Sequence, residues 1–153
     1  MKTLACKVLK ALDGKTLATA ESCTGGGIGQ ALTEVSGSSR VYKGGVVSYW
    51  SSIKQELLHV GADVLEAQGP VCPEVACQMA RGVRELLKAD VSVSVTGLAG
   101  PGGDEYGNPQ GLVYIGYADE CRCFAREYHF SGSRSRVRKA AVKKALETIL
   151  EMQ

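Results

Sequence analysis

The chain has 153 residues, of which 44% are hydrophobic and 22% charged, and this balance is typical of a globular protein rather than a disordered one. Its formal net charge of +2 is too small to indicate a nucleic-acid partner. No apolar run approaches the roughly 18 residues that a membrane span needs, and lysines interrupt the first ten residues, so we expect no membrane partner, no signal peptide and a cytoplasmic protein.

In chain order, helically spaced apolar residues predict a first helix at 4–12, and a short β-type run follows at 16–20. The elements expected after these are a helix at 28–35, a strand at 45–49, a helix at 51–58, an optional further helix, a long helix at 73–88, strands at 91–96, 112–118 and 122–130, and a final helix ending near 152. Strands alternating with helices predict a three-layer α/β/α sandwich around a mostly parallel sheet. The last two strands form a hairpin, which makes the sheet mixed, with about five strands. We expect one domain spanning 1–153.

Six cysteines and two histidines offer few metal ligands. Neither Cys72 and Cys77 nor Cys121 and Cys123 have the two-residue gap usual in zinc sites, so we expect no metal and no cofactor. In a chain of this size without a secretory signal, free thiols are expected rather than disulfides. Cys121 and Cys123, two apart in a predicted strand, are expected to pack together.

Three unusual segments follow predicted strands, at 21–27, 49–54 and 96–103. Open α/β sheets bind ligands at the carboxyl ends of their strands, so the convergence of these segments predicts a site there. The first segment puts Ser22 at a glycine-rich strand-to-helix turn, where free helix amides suit a phosphate or an oxyanion. It lacks the Lys-Ser/Thr of a P-loop, and a plain glycine turn with a serine cap is the structural alternative.

The second segment supplies Tyr49 and Lys54. A lysine acts as a general base when burial lowers its pKa, so Ser22 and Lys54 form a candidate nucleophile–base pair that needs no histidine. An exposed helix lysine is the alternative. Cys23 is a second-ranked nucleophile, and the S-x-x-K pattern that begins at Ser51 is interpreted as a chance match, because its companion motifs are missing.

The third segment is a glycine loop that begins at Thr96. The Thr96 hydroxyl is available to donate to a ligand, and the backbone amides of the loop can surround an anion. A basic run from Arg134 to Lys144 is interpreted as a solvated helix face. The alternative is that one or two of its arginines reach an anionic ligand.

Together these motifs resemble the CinA C-terminal (PncC-like) family over nearly the whole chain, in its form without the N-terminal domain of longer members. The matching segments, in order, are Glu21-Ser22-Cys23-Thr24-Gly25-Gly26, Gly37-Ser38-Ser39, Tyr49 with Lys54, Met79-Ala80, Thr96 to Gly103, Pro109-x-Gly111 and Gly132-x-Arg134. Trp50-Ser51 departs from the Ser-Asn common in the family, and the loop beyond Gly103 is more acidic than an anionic substrate suggests. Both departures bear on the substrate.

The resemblance implies a nicotinamide-nucleotide amidohydrolase of pyridine-nucleotide salvage, which converts nicotinamide mononucleotide to nicotinic acid mononucleotide and ammonia. It implies Ser22 as nucleophile with Lys54 and Tyr49 as partners, the lysine acting either directly or through the tyrosine hydroxyl. It also implies a homo-oligomer with a small-molecule nucleotide substrate. The expected substrate-binding residues are Thr24, Gly25, Gly26, Thr96, Gly97, Gly100, Gly102 and Arg134. The alternatives are a non-catalytic nucleotide-binding module associated with competence and DNA damage, and an amidase for a different nucleotide amide.

Overall fold

The computed structural model describes residues 1–153. Its helices are α1 (Lys2–Ala11), α2 (Gly27–Thr33), α3 (Ser51–Leu58), α4 (Ala62–Gln68), α5 (Pro73–Leu87) and α6 (Arg134–Glu151). Its strands are β1 (Leu17–Glu21), β2 (Tyr42–Val47), β3 (Val91–Gly97), β4 (Leu112–Ala118) and β5 (Cys123–His129), and a single 3₁₀ turn spans Ser38–Arg40. None of the helices combines the length and the apolar character that a bilayer crossing requires.

One five-stranded sheet has the order β2-β1-β3-β4-β5. Strand β1 pairs in parallel with both β2 and β3, whereas β4 is antiparallel to both β3 and β5. Only β4 therefore runs against the other strands, and the predicted mixed sheet is confirmed. The connection after β1 passes through α2 on one face of the sheet, and the connection after β2 passes through α3 to α5 on the other face, so the two diverge and leave a crevice at the carboxyl ends of these strands.

Two apolar clusters cover the two faces of the sheet. The larger joins side chains of α1, α2 and α6 to Leu17 and to the alternate valines of β3. The smaller joins α3, α4 and α5 to Ala18 and Ala20 of β1. Successive residues of β1 thus face opposite layers, as the pleat of a strand requires, and the predicted three-layer sandwich is confirmed.

Helix α5 lies close to α3 at one glycine and close to β4 at another. A Cβ atom added at Gly82 would overlap the backbone carbonyl of Leu58, the last residue of α3. Similarly, a Cβ at Gly116 of β4 would overlap the carbonyl of Ala76 in α5. These two close approaches fix the position of α3 over the sheet, and α3 is the helix that carries Lys54.

Strand β2 begins three residues earlier than predicted and ends before Tyr49. Glycines at 44 and 45 mask its sequence signal, because glycine is depleted in strands. A register shift opposite Leu17 and Ala18 accommodates one extra residue, and the hydroxyl groups of Tyr42 and Thr19 lie 2.8 Å apart across the pair. Tyr49 therefore lies in the connection to α3 rather than in the sheet.

The expectation of free thiols throughout is wrong for two of the six cysteines. Cys77 of α5 and Cys123 of β5 form a disulfide across a sequence separation of 46, with their Cα atoms 6.1 Å apart. The packing of α5 across the sheet brings them together, which sequence spacing does not reveal. Cys121 is exposed in the β4–β5 turn and lies outside β5, which begins at Cys123, so the strand spacing on which their expected packing depends does not apply.

Candidate active site

The three predicted segments meet at the carboxyl ends of β1, β2 and β3. They line a cleft of about 290 Å³ together with Arg134 at the start of α6. No aspartate or glutamate contributes to its lining. A slightly larger cleft, about 340 Å³, lies between α2 and α6, but no hydroxyl in its lining is hydrogen-bonded to a basic side chain. The chemistry is therefore concentrated in the smaller cleft.

Ser22 lies directly beyond β1, and its side chain is nearly buried, with 8% exposed. Its amide donates to the carbonyl of Val95 in β3 over 2.9 Å, and its carbonyl accepts from the amide of Gly25 over 3.1 Å. The chain then turns through Gly25 and Gly26, with φ of 59° and 98°, a left-handed conformation that a residue with a Cβ rarely adopts. This tight turn aims the Ser22 hydroxyl at the layer of α3.

Lys54 reaches that hydroxyl from α3. Its Nζ lies 2.9 Å from Ser22 Oγ, 2.5 Å from the carbonyl oxygen of Ser48 and 3.3 Å from that of Tyr49. Only 1% of the residue is exposed, and burial, which penalises the charged form, lowers its pKa from 10.5 to about 8. A neutral amine has two protons for the two carbonyls and one lone pair for the Ser22 proton, so this geometry suits a general base.

Cys23 is adjacent to Ser22 but is a poor nucleophile. Burial raises the pKa of its thiol from 9.0 to about 11, against the smaller opposing influence of its own backbone and of Lys54. Since the thiolate is the reactive form, Cys23 is protonated at neutral pH. Its backbone amide, by contrast, donates to no other residue and lies next to the nucleophile, where an oxyanion donor is needed.

Tyr49 and Arg134 form the mouth of the cleft. Tyr49 is 56% exposed, and its hydroxyl accepts a hydrogen bond from Arg134 Nη2 over 3.1 Å, while Arg134 Nη1 donates to the carbonyl of Gly100 over 2.5 Å. Tyr49 contacts Lys54 through its backbone carbonyl. The expected route from Lys54 through the Tyr49 hydroxyl is therefore absent from this arrangement.

Two expected ligand donors are engaged inside the protein. The Thr96 hydroxyl donates to the carbonyl of Pro70 over 2.7 Å, and the Thr24 hydroxyl donates to the carboxylate of Glu21 over 2.7 Å. The same carboxylate accepts from the amides of Ile28 and Gly29 in the first turn of α2. The expectation of free amides at the start of α2 is thus corrected, because a buried carboxylate occupies them.

The glycine loop forms the opposite wall. Gly97 packs against Val113 with no room for a side chain, and Gly100 and Gly102 take left-handed φ of 99° and 81°. The Gly102 amide donates to Gln110 Oε1. Asp104 belongs to the acidic loop that is unexpected beside an anionic substrate. Its carboxylate turns into that loop and accepts from the Tyr106 and Asn108 amides and from the Asn108 side chain.

Sequence reasoning missed two groups that hold the Ser22 turn. Arg138 of the basic run donates from Nε to the carbonyl of Cys23 over 3.0 Å and from Nη2 to that of Thr24 over 3.2 Å. Further along the run, Lys143 and Lys144 both pair with Glu147 at the surface. The second missed group is Glu21, which stands within a motif but was not assigned a role. The only sequence signal for Glu21 was its place in the motif, immediately before Ser22.

Comparison with known proteins gives a consistent picture. The model of the CinA C-terminal domain matches residues 1–153. A CinA-like protein of Thermosynechococcus vestitus is 50% identical over 137 residues, or 88% of this chain and 33% of that protein. A CinA-like protein of Synechococcus sp. is 46% identical over 151 residues, or 96% of this chain and 36% of that protein. The chain thus spans about a third of the length of the curated relatives it matches.

Solved structures agree with these relatives. A CinA superfamily protein from Klebsiella pneumoniae has a TM-score of 0.95 at 32% identity, covering 98% of this chain and 95% of that one. The competence/damage inducible protein CihA from Agrobacterium tumefaciens has a TM-score of 0.94 at 37% identity, covering 99% and 94%. The family model spans every segment that forms the cleft, and the chain belongs to the CinA C-terminal domain family.

Proposed function

We propose that this chain is an amidohydrolase that converts nicotinamide mononucleotide to nicotinic acid mononucleotide and ammonia. The observation that carries the proposal is the contact of 2.9 Å between Lys54 Nζ and Ser22 Oγ, which joins two nearly buried residues. A serine hydroxyl is a weak nucleophile until a base removes its proton, and a lysine with a pKa of about 8 is such a base near neutral pH.

In the proposed reaction, Ser22 Oγ attacks the carboxamide carbon while its proton moves to the Lys54 amine. The amide C–N bond then breaks, and Lys54 returns the proton to the leaving nitrogen, which departs as ammonia. Water hydrolyses the acyl-serine ester by the same route, with Lys54 again accepting and returning one proton. The Cys23 amide, which donates to no other residue, is the proposed donor to the oxyanion.

The remaining predicted residues take binding roles in this proposal. Arg134 stands at the cleft mouth with its guanidinium on Gly100 and Tyr49, and guanidinium groups bind phosphate well. Gly97, Gly100 and Gly102 let the loop approach a ligand closely. Thr96 lines the cleft, whereas Thr24, Gly25 and Gly26 lie outside its lining and shape the Ser22 turn, with the Thr24 hydroxyl bound to Glu21. A cleft without acidic side chains favours an anionic substrate over a cationic one.

The test is ammonia release from nicotinamide mononucleotide by the wild type and by Ser22→Ala. Ser51→Ala is the matched control, because Ser51 is also a serine near Lys54 but begins α3 and has no hydrogen bond to Nζ. We expect Ser22→Ala to lose at least about a thousandfold in rate and Ser51→Ala to retain it. Equal rates in the wild type and Ser22→Ala would refute the nucleophile.

The names of the relatives refer to competence and damage and not to an enzyme, so a non-catalytic nucleotide-binding role is the second candidate. Calorimetry on the same samples separates the two. Tight binding of nicotinamide mononucleotide by folded wild-type protein without ammonia release would favour the non-catalytic role. Release of ammonia only from another nucleotide amide would keep the amidase and change its substrate.

A further inference from the structure

Glu21 is the least exposed acidic residue near the cleft, and the proposed reaction does not use it. It ends β1 immediately before Ser22 and is only 2% exposed. Because adjacent residues of a strand point to opposite faces, Ser22 meets α3 on one side of the sheet while Glu21 meets α2 on the other. The nucleophile and this carboxylate are thus attached to the same short stretch of backbone.

The Glu21 carboxylate binds three donors, all of them from the turn and helix that follow Ser22. Oε1 accepts from Thr24 Oγ1 over 2.7 Å and from the Ile28 amide over 2.9 Å, and Oε2 accepts from the Gly29 amide over 3.1 Å. The N-cap residue of α2, Gly26, has no side chain to satisfy these amides. Glu21 therefore replaces the missing cap and brings a favourable charge to this end of α2.

The Ser22 turn is consequently fixed at both of its ends. The Ser22 amide is tied to Val95, and the Glu21 carbonyl accepts from the Ser48 amide over 2.8 Å, so the sheet holds the start of the turn. The Glu21 side chain holds Thr24 and the first turn of α2, which is the end of the turn. The backbone of the Ser22 turn lies between these two attachments.

We infer that Glu21 is a positioning residue, which holds Ser22 Oγ in line with Lys54 Nζ by capping α2 from the strand that carries the nucleophile. This inference rests on Ser22 being the nucleophile of the proposed function, but not on the identity of the substrate. It also explains the closed N-terminus of α2: the amides there orient the nucleophile rather than bind the substrate.

The experiment measures Ser22 itself with a fluorophosphonate. Ser22 Oγ attacks phosphorus, an O–P bond forms, fluoride leaves and Lys54 accepts the proton. Intact-mass and peptide-mass analysis give the rate of adduct formation at Ser22 per folded molecule across about pH 6 to 10, with the folded fraction taken from circular dichroism. The variants are Glu21→Gln, Thr24→Val and Thr24→Ser. Thr148→Val is the matched control, since it removes another buried hydroxyl, bonded to the Lys144 carbonyl in α6.

In Glu21→Gln, the amide nitrogen must face an N–H or O–H donor, so one bond is lost and the turn shifts. We expect labelling to slow roughly tenfold to a hundredfold, because a shift of about 1 Å has effects of that size. The midpoint of the pH profile should remain near that of the wild type, since Lys54 stays buried and keeps its contacts with the Ser48 and Tyr49 carbonyls. Thr24→Val should slow labelling as well, Thr24→Ser should restore most of the rate, and Thr148→Val should not slow it.

Wild-type labelling rates in folded Glu21→Gln and folded Thr24→Val would overturn the inference. So would equal slowing in Thr148→Val, which would show a general effect of stability. A wild type that is labelled at Ser22 but releases no ammonia from nicotinamide mononucleotide would refute the proposed substrate and leave the role of Glu21 intact. A folded wild type without any adduct at Ser22 would overturn both.

Discussion

Replacement of Lys54 by methionine is expected to remove the proposed base and to change how the stability of the fold depends on pH. Burial lowers the pKa of Lys54 from 10.5 to about 8, so at neutral pH the folded protein holds a charged amine in a site that disfavours charge. The unfolded chain holds the same charge in water at no such penalty. Methionine preserves an unbranched apolar stem in the site and removes the charge.

The difference between 10.5 and about 8 corresponds to a penalty of about 3 kcal/mol. Below about pH 8, both the folded and the unfolded wild type are protonated and the full penalty applies. Between about pH 8 and 10.5 the unfolded chain keeps a proton that the folded protein has released, so the stability of the wild type rises with pH. The stability of Lys54→Met relative to the wild type should therefore fall by about 3 kcal/mol across this window. The lost bonds to the Ser48 and Tyr49 carbonyls add an offset that does not depend on pH.

Urea unfolding of both proteins at about pH 7, 8, 9 and 10 measures the difference in their free energies of unfolding. Other titrating groups are common to both proteins and cancel in the difference. Ser22→Ala is the control, because it keeps Lys54 and should follow the slope of the wild type. A difference between Lys54→Met and the wild type that stays constant from pH 7 to 10 would refute the assignment of a lowered lysine pKa.

Three further predictions concern other parts of the molecule. Cys23→Ala should keep ammonia release within about threefold of the wild type, because the raised thiol pKa of about 11 leaves little thiolate, and a loss near that of Ser22→Ala would instead make Cys23 essential. Reductant should lower the free energy of unfolding by about 2–4 kcal/mol by opening the Cys77–Cys123 disulfide, whereas Cys77→Ser should not respond to it; identical urea midpoints for the wild type with and without reductant would contradict this. Gly82→Ala should lower the melting temperature, since its Cβ overlaps the Leu58 carbonyl and overpacking costs about 1–3 kcal/mol, and an unchanged melting temperature would disprove that close contact.

Much of the architecture can be predicted from the sequence, because apolar residues recur at one spacing in helices and at another in strands. The α3 helix at 51–58 and the β4 strand at 112–118 have the bounds that apolar spacing predicts. The start of β2 at Tyr42 is not accessible, because it depends on a pairing with β1 across glycines with little strand propensity. The Cys77–Cys123 disulfide depends on which helix crosses which strand, and spacing along the chain carries no such information.

For the candidate site, the sequence indicates which segments meet but not how their atoms pair. The rule that ligands bind at the carboxyl ends of strands brings Ser22 and Lys54 to one edge. Whether Tyr49 uses its hydroxyl or its carbonyl depends on side-chain direction in an irregular connection, where no periodicity applies. Likewise, the first amides of α2 donate to Glu21 rather than to a ligand because Glu21 is buried beside them, and burial is a property of the assembled layers.

The position of β1 between two parallel neighbours has a consequence for how activity is lost on heating. Both edges of β1 are hydrogen-bonded, so its backbone is released only when the sheet itself comes apart. The Ser22 turn is tied to that strand and has no independent way to melt. Inactivation and cooperative unfolding should therefore share one temperature, and amide protons of Ala18 and Ala20 should exchange as slowly as any in the protein.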